Sequence, residues 1–152
     1  MCGLRSSLQV IMLKNISPII SPELLKILAE MGHGDEIVIA DGNFPSHSMN
    51  SRVVRLDGHG GNEVLEAILQ IFPLDTYAPY NAMLMEVVPG DTVETPIWDV
   101  YKSTMAKYEG SNVRVENIER FAFYDRAKTA YAVIATGESA LYANLIIKKG
   151  VI

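Results

Sequence analysis

The chain has 152 residues, enough for one compact domain with a core of its own and too few for two comfortable ones. Apolar residues make up 49% and charged residues 20%, an ordinary globular balance, and the net charge of -5 argues against a nucleic-acid surface, which needs clustered Lys and Arg. The lone cysteine, Cys2, forms no internal disulfide and excludes a Cys-rich zinc site, which favours the cytoplasm over secretion; no apolar run approaches the roughly 18 residues of a membrane span.

Residues 1–11 have one Arg and no long apolar stretch, so they read as a disordered N-terminal extension ahead of a domain over residues 12–152. The first clear element opens at Ser21-Pro22-Glu23. Ser is a good N-cap, Pro fits the first helical position, and Glu suits the positive end of the helix dipole. Leu24, Ile27, Leu28 and Met31 follow with helical spacing, and Gly32 stops the helix. The apolar run Glu36–Ala40 reads as a buried strand ending at Asp41, before the loop Gly42-Asn43-Phe44-Pro45.

A second helix is expected from Asn62, with Leu65, Ile68, Leu69 and Phe72 as its apolar stripe and Pro73 ending it. Residues 82–88 form the next strand candidate, and Pro89-Gly90-Asp91 is a turn signal. Pro96 opens a third helix that carries Ile97, Tyr101, Met105 and Tyr108 on one face and closes at Gly110. A short helix is expected over residues 121–127, and residues 131–135 and 144–147 read as two closing strands that pair as a hairpin-like end. The alternation of strands and helices indicates a single compact α/β domain with a central sheet and flanking helices.

Several polar groups lie where chemistry could use them. His33, between two glycines in Gly32-His33-Gly34-Asp35, is either a general acid or base or a cation at a helix C-terminus. Asp41 ends an apolar strand, an edge where open α/β sheets bind ligands; it either accepts hydrogen bonds from hydroxyls or orders its own loop. Tyr142 and Asn144 are two residues apart on an expected strand, and so share a face. Arg120 adjoins the aromatics of Phe121-Ala122-Phe123-Tyr124, whereas Arg126 reads as a partner for nearby acids. His47 and His59 sit in polar, glycine-rich loops and read as solvated. Gly58-His59-Gly60-Gly61 lacks the Lys of a phosphate loop and the full dinucleotide fingerprint. No metal-ligand spacing and no nucleophile elbow is found, so no cofactor is called for.

The segments Ile16-Ser17-Pro18-Ile19-Ile20-Ser21-Pro22-Glu23, Met31-Gly32-His33-Gly34-Asp35-Glu36 and Asp41-Gly42-Asn43-Phe44-Pro45 together resemble the family of L-fucose mutarotases and D-ribose pyranases. So do Pro73-Leu74-Asp75-Thr76-Tyr77, Arg120-Phe121-Ala122-Phe123-Tyr124-Asp125-Arg126-Ala127 and Tyr142-Ala143-Asn144-Leu145-Ile146-Ile147-Lys148-Lys149. The resemblance runs from Met12 to near the end of the chain. It implies an RbsD-like fold, a monosaccharide substrate, no cofactor, and a homo-oligomer in the form of a decameric ring. It implies His33 as the proton donor, with Asp41, Arg120 and Tyr142-Ala143-Asn144 binding the sugar. Arg120, where ribose pyranases tend to carry His, implies interconversion of the α and β anomers of L-fucose. D-ribose pyranase activity and a non-catalytic sugar-binding subunit are the alternatives. His59 inherits no role.

Overall fold

The computed structural model describes residues 13–152. The reading of residues 1–11 as a disordered extension lies outside the described residues. The elements are α1 (Pro22–Glu30), β1 (Glu36–Ala40), α2 (Ser46–Met49), β2 (Val53–Leu56), α3 (Gly61–Leu69), β3 (Ala82–Met85), α4 (Pro96–Glu109), a 3₁₀ turn (Gly110–Asn112), β4 (Val115–Ile118), α5 (Arg120–Thr129), β5 (Ala132–Thr136) and β6 (Leu145–Lys148).

The six strands form one sheet in the order β2-β5-β1-β6-β3-β4. The β2–β5, β5–β1 and β3–β4 pairs are parallel, and β6 runs antiparallel to both its neighbours, β1 and β3. Five strands therefore end at one edge of the sheet, and β6 alone begins there. Strand geometry divides the core in two. Ile37 and Ile39 point to one face, against α1, α3 and α4 through Leu24, Ile27, Leu65, Ile68, Tyr101 and Met105. Val38 and Ala40 point to the other, against Phe44 and against Phe123 and Ala127 of α5. Ile37, Val38, Ile39 and Ala40 are all fully buried, so the central strand is apolar on both faces, as a strand covered on both sides requires.

Helix α1 forms as its sequence predicts. Ser21 Oγ accepts the Leu24 amide at 3.1 Å and Pro22 occupies the first turn. Its far end is finished by Lys149, whose ammonium donates to the Leu28 and Met31 carbonyls at 2.7 and 2.5 Å. The cation at this helix end is therefore Lys149.

Four expectations are corrected. The two closing strands do not pair as a hairpin, because β1 lies between β5 and β6. Tyr142 is not on a strand: its φ of 56° places it in the left-handed region, and β6 begins only at Leu145. The strand expected over residues 82–88 stops at Met85, and α3 stops at Leu69 short of Phe72. Three elements were not foreseen: α2 is a single turn, and β2 and β4 are the two edge strands. Edge strands need only one apolar face, so Arg55 in β2 and Glu116 and Asn117 in β4 break the apolar run that marks a strand in sequence.

Candidate functional site

The edge where five strands end and β6 begins holds a cleft of about 260 Å³, lined by Asp41, Asn43, Phe44, Met85, Val88, Asp91, Arg120, Tyr124, Leu141, Tyr142 and Asn144 among others. That is slightly below the roughly 300–1,000 Å³ of sites for drug-sized ligands, so it suits one small molecule. Its position obeys the general rule for open α/β sheets, that ligands bind beyond the carboxyl ends of the strands.

Asp41 and Asn144 form the floor. The antiparallel register sets Leu145 opposite Ile39, which brings Asn144 beside Asp41. The Asp41 amide donates to Asn144 Oδ1 at 2.7 Å, and among the described residues Asn144 Nδ2 has no partner. The Asp41 carboxylate accepts the amides of Asn43 at 3.0 Å and Ala143 at 3.3 Å. Both residues are buried. Burial pushes the Asp41 carboxyl above its ordinary value; the amides of Asn43, Ala143 and Phe44 pull the other way, and the nearby Glu138 adds to the rise.

The segment Tyr142-Ala143-Asn144 is held from outside. Trp98 Nε1 donates to the Tyr142 carbonyl and the Tyr101 hydroxyl donates to the Ala143 carbonyl, each at 2.8 Å. Both donors lie on α4, whose N-terminal half packs over this segment. Tyr101 is fully buried, and burial raises its hydroxyl well above the usual phenol value, so it stays a donor. A glycine is required at position 61, because a Cβ there would stand 2.0 Å from the Tyr101 hydroxyl. Arg120 opens α5 at the cleft rim, where its Nε donates to the Tyr124 hydroxyl at 3.1 Å. Its guanidinium lies over the Phe121 and Tyr124 rings at 5.4 and 5.3 Å.

His33 is elsewhere. It precedes β1, while Asp41 follows it, and five strand residues at about 3.3 Å each separate the two by on the order of 16 Å. The structure thus brings Asp41, Arg120, Tyr142, Ala143 and Asn144 together and leaves His33 at the opposite edge of the sheet. There His33 Nε2 donates to Asp75 Oδ1 at 2.7 Å, and its ring meets Tyr77 edge-on at 4.8 Å. Its side chain is 40% exposed, whereas that of Asp75 is 2% exposed. Asp75 also accepts the amides of Ala78 at 2.8 Å and Tyr77 at 3.2 Å. Burial alone would raise its carboxyl, but those amides and the His33 ring more than offset it and hold it at about 2. Asp75 is thus a carboxylate at neutral pH and accepts the hydrogen bond from His33 Nε2, which leaves Nδ1 without a partner among the described residues. The Asp75 amide donates to the Lys148 carbonyl at 3.0 Å, and Gly150 packs closely beside it, where a Cβ would stand 2.6 Å from the Leu74 carbonyl oxygen.

Asp75, Asp91, Trp98 and Tyr101 are the residues that the sequence did not single out as functional. The turn-forming Asp75-Thr76-Tyr77 was the available signal, since an Asp two residues before an ordered amide marks an Asx-turn. Arg126 does pair with an acid: it grips Glu36 with Nε at 3.1 Å and Nη2 at 2.5 Å. His59 contacts Glu63 in the first turn of α3. Among the described residues, no group of three or more His, Cys, Asp or Glu could hold a metal ion, and no helix is long and apolar enough to cross a membrane. A second hollow, of about 290 Å³, is lined by Leu13, Ile16, Ile20, Leu25 and prolines, and offers a ligand no charged group.

A model of the RbsD / FucU transport protein family matches residues 14–152. The chain is 56% identical over 140 residues to the L-fucose mutarotase of Actinobacillus pleuropneumoniae serotype 5b (strain L20), covering 92% of this chain and 97% of that one. Among solved structures, FucU from Bifidobacterium longum matches with a TM-score of 0.89 at 60% identity, over 91% of this chain and 99% of its own. The fucose mutarotase of Streptococcus pneumoniae, solved in complex with L-fucose, matches with a TM-score of 0.87 at 46% identity, over 92% and 99%.

Proposed function

The chain belongs to the RbsD / FucU transport protein family, and on that footing we propose that it is a carbohydrate isomerase that interconverts the α and β anomers of L-fucose. The observation that carries this reading is the convergence of Asp41, Arg120, Tyr142 and Asn144 on one small cleft at the carboxyl edge of the sheet. A carboxylate, an amide and a guanidinium supply acceptors and donors for sugar hydroxyls, and Phe44, Met85 and Tyr142 supply apolar surface for the carbon skeleton.

Mutarotation needs one acid and one base. The anomeric hydroxyl gives its proton to the base as the C1–O5 bond breaks and the ring oxygen takes a proton from the acid. The open aldehyde turns about C1–C2. Closure on the other face returns both protons and yields the other anomer. Asp41 is the base, since its raised carboxyl pKa lets it take a proton without leaving its place in the cleft floor. His33 is the acid, oriented by Asp75 as a histidine is oriented by its carboxylate in many proton-transfer sites.

A single subunit keeps these two groups at opposite edges, so the site is shared between copies. Exposed large apolar side chains support this arrangement. Tyr77 and Tyr80 are exposed at the His33 edge, and Val88, Phe121 and Leu141 are exposed around the cleft. Two different patches at opposite edges of one subunit favour head-to-tail contacts, which close into rings. The assembly is such a ring, a decamer as the resemblance implies. It works in the cytoplasm, a reading supported by the lone Cys2.

Saturation-transfer NMR on L-fucose tests the activity, with faster exchange between anomers as the expected result. Sugar binding without faster exchange would identify a non-catalytic binding subunit instead. The same measurement on D-ribose separates this reading from a pyranase.

A further inference from the structure

Tyr142 has an unusual set of restraints for a residue at a cleft rim. Its backbone sits at φ 56°, a region that costs a residue with a Cβ roughly 1 kcal/mol or more. Its hydroxyl donates to Asp91 Oδ2 at 2.8 Å and accepts the Val88 amide at 3.3 Å. The phenol proton is therefore spent before any ligand arrives.

Asp91 sits at the end of a tight turn. Val88, Pro89, Gly90 and Asp91 form a turn closed by the Asp91 amide donating to the Val88 carbonyl at 3.0 Å, with Gly90 at φ 93°. Pro and Gly occupy the two central positions that a type II turn favours. The other Asp91 oxygen, Oδ1, accepts the Val93 amide at 3.1 Å and so orders the start of the run toward α4. One carboxylate oxygen shapes its own loop and the other holds Tyr142.

This contact does little for the fold. Asp91 and Val88 are exposed, and the two bonded side chains are 51 residues apart on the protein surface. Exposed hydrogen bonds of this kind contribute little net stability. Its visible effect is on the cleft, because Val88, Asp91 and Tyr142 all line it.

We propose that Asp91 is a positioning residue for the sugar cleft: it holds the Tyr142 hydroxyl so that Tyr142 meets the sugar with its ring, and it keeps the loop over residues 86–95 as one wall of the cleft. The inference rests on the reading of this cleft as the sugar site. Tyr142 then contributes a flat apolar surface to the carbon skeleton, while Asp41, Arg120 and Asn144 take the hydroxyls.

The test compares Asp91→Ala, Tyr142→Phe and the double variant. Initial anomer exchange is followed over a range of L-fucose concentrations, and amide hydrogen exchange is measured at Val88. Asp91→Ala is expected to raise KM about three- to tenfold with kcat within about twofold, the pattern of lost uniform binding. Tyr142→Phe should do the same, and the double variant should be no worse than Tyr142→Phe, because the hydroxyl and the carboxylate act through one contact. Val88 should exchange faster in all three variants and slower in the wild type with saturating L-fucose. An unchanged KM in Asp91→Ala, or single losses that multiply in the double variant, would overturn the proposal. If the wild type fails to speed anomer exchange, the enzymatic reading falls; L-fucose affinity by calorimetry and Val88 protection then decide the Asp91 contact on their own.

Discussion

His33 Nε2 stands 2.7 Å from Asp75 Oδ1, at the edge of the sheet opposite the cleft that holds Asp41. The proposed proton donor and the groups it would serve thus lie at opposite edges of one chain.

That separation makes a mixing experiment decisive. His33→Gln and Asp41→Asn should each slow anomer exchange about 10²–10⁴-fold. Dissociating the two variants, mixing them in equal amounts and reassembling them should restore about a quarter of wild-type activity, because one contact in four then joins an intact His33 to an intact Asp41. Activity no greater than the sum of the separate variants would place each site within one chain.

Asp41 should set the acid limit of the reaction. Its carboxyl pKa is raised by burial, and the deprotonated form is the one that accepts a proton. Activity should therefore fall as pH drops through a value above that of an ordinary Asp. The measurement is the pH dependence of L-fucose exchange between pH 7 and 4. An acid limb at or below the ordinary Asp value would contradict it.

Asp75 should leave a mark on stability instead. Its folded-state pKa of about 2 lies below that of an unfolded Asp, so its contribution is complete above about pH 4 and is lost as pH falls toward 2. The shift corresponds to about 2 kcal/mol. Asp75→Asn should be less stable than the wild type by about that amount at pH 7, and the gap should narrow as denaturation is repeated below about pH 4. A gap independent of pH would show that the ionised form is not what the fold uses.

Tyr101→Phe should weaken the site without touching it. The variant leaves the buried Ala143 carbonyl without its donor, at a cost of about 1–3 kcal/mol in urea denaturation at fixed protein concentration. KM for L-fucose should rise as Tyr142-Ala143-Asn144 loses one of its two outer restraints. Unchanged stability and KM together would mean that the Tyr101 contact does not position the segment.

Much of this was readable from the sequence, and the limits have physical causes. The central strand Glu36–Ala40 and the helix opened by Ser21 and Pro22 were plain because their patterns are local. The strands at β2 and β4 were not, since an edge strand keeps polar residues such as Arg55 and Asn117 toward solvent. Asp41 and Asn144 were singled out by strand ends, yet the side chain that meets the Asp41 amide became visible only through the register that joins residues 103 apart. The role of Asp75 was hidden for the same reason, as it lies 42 residues from His33. The distance from His33 to Asp41 could have been foreseen, because any five-residue strand between two residues holds them at opposite edges.

The reversed direction of β6 ties these distant places together. One end of the strand follows Asn144 in the cleft; the other runs into Lys149, whose carbonyl accepts the Gly34 amide beside His33 at 2.8 Å, and into Gly150 pressed on Leu74. Leu145–Lys148 thus runs between the cleft and the His33 edge, the two places that the proposed function assigns to one reaction. In the head-to-tail ring proposed above, its length would set the spacing of successive sites, and a residue inserted in it would put two sites out of tune at once, each with a different neighbour.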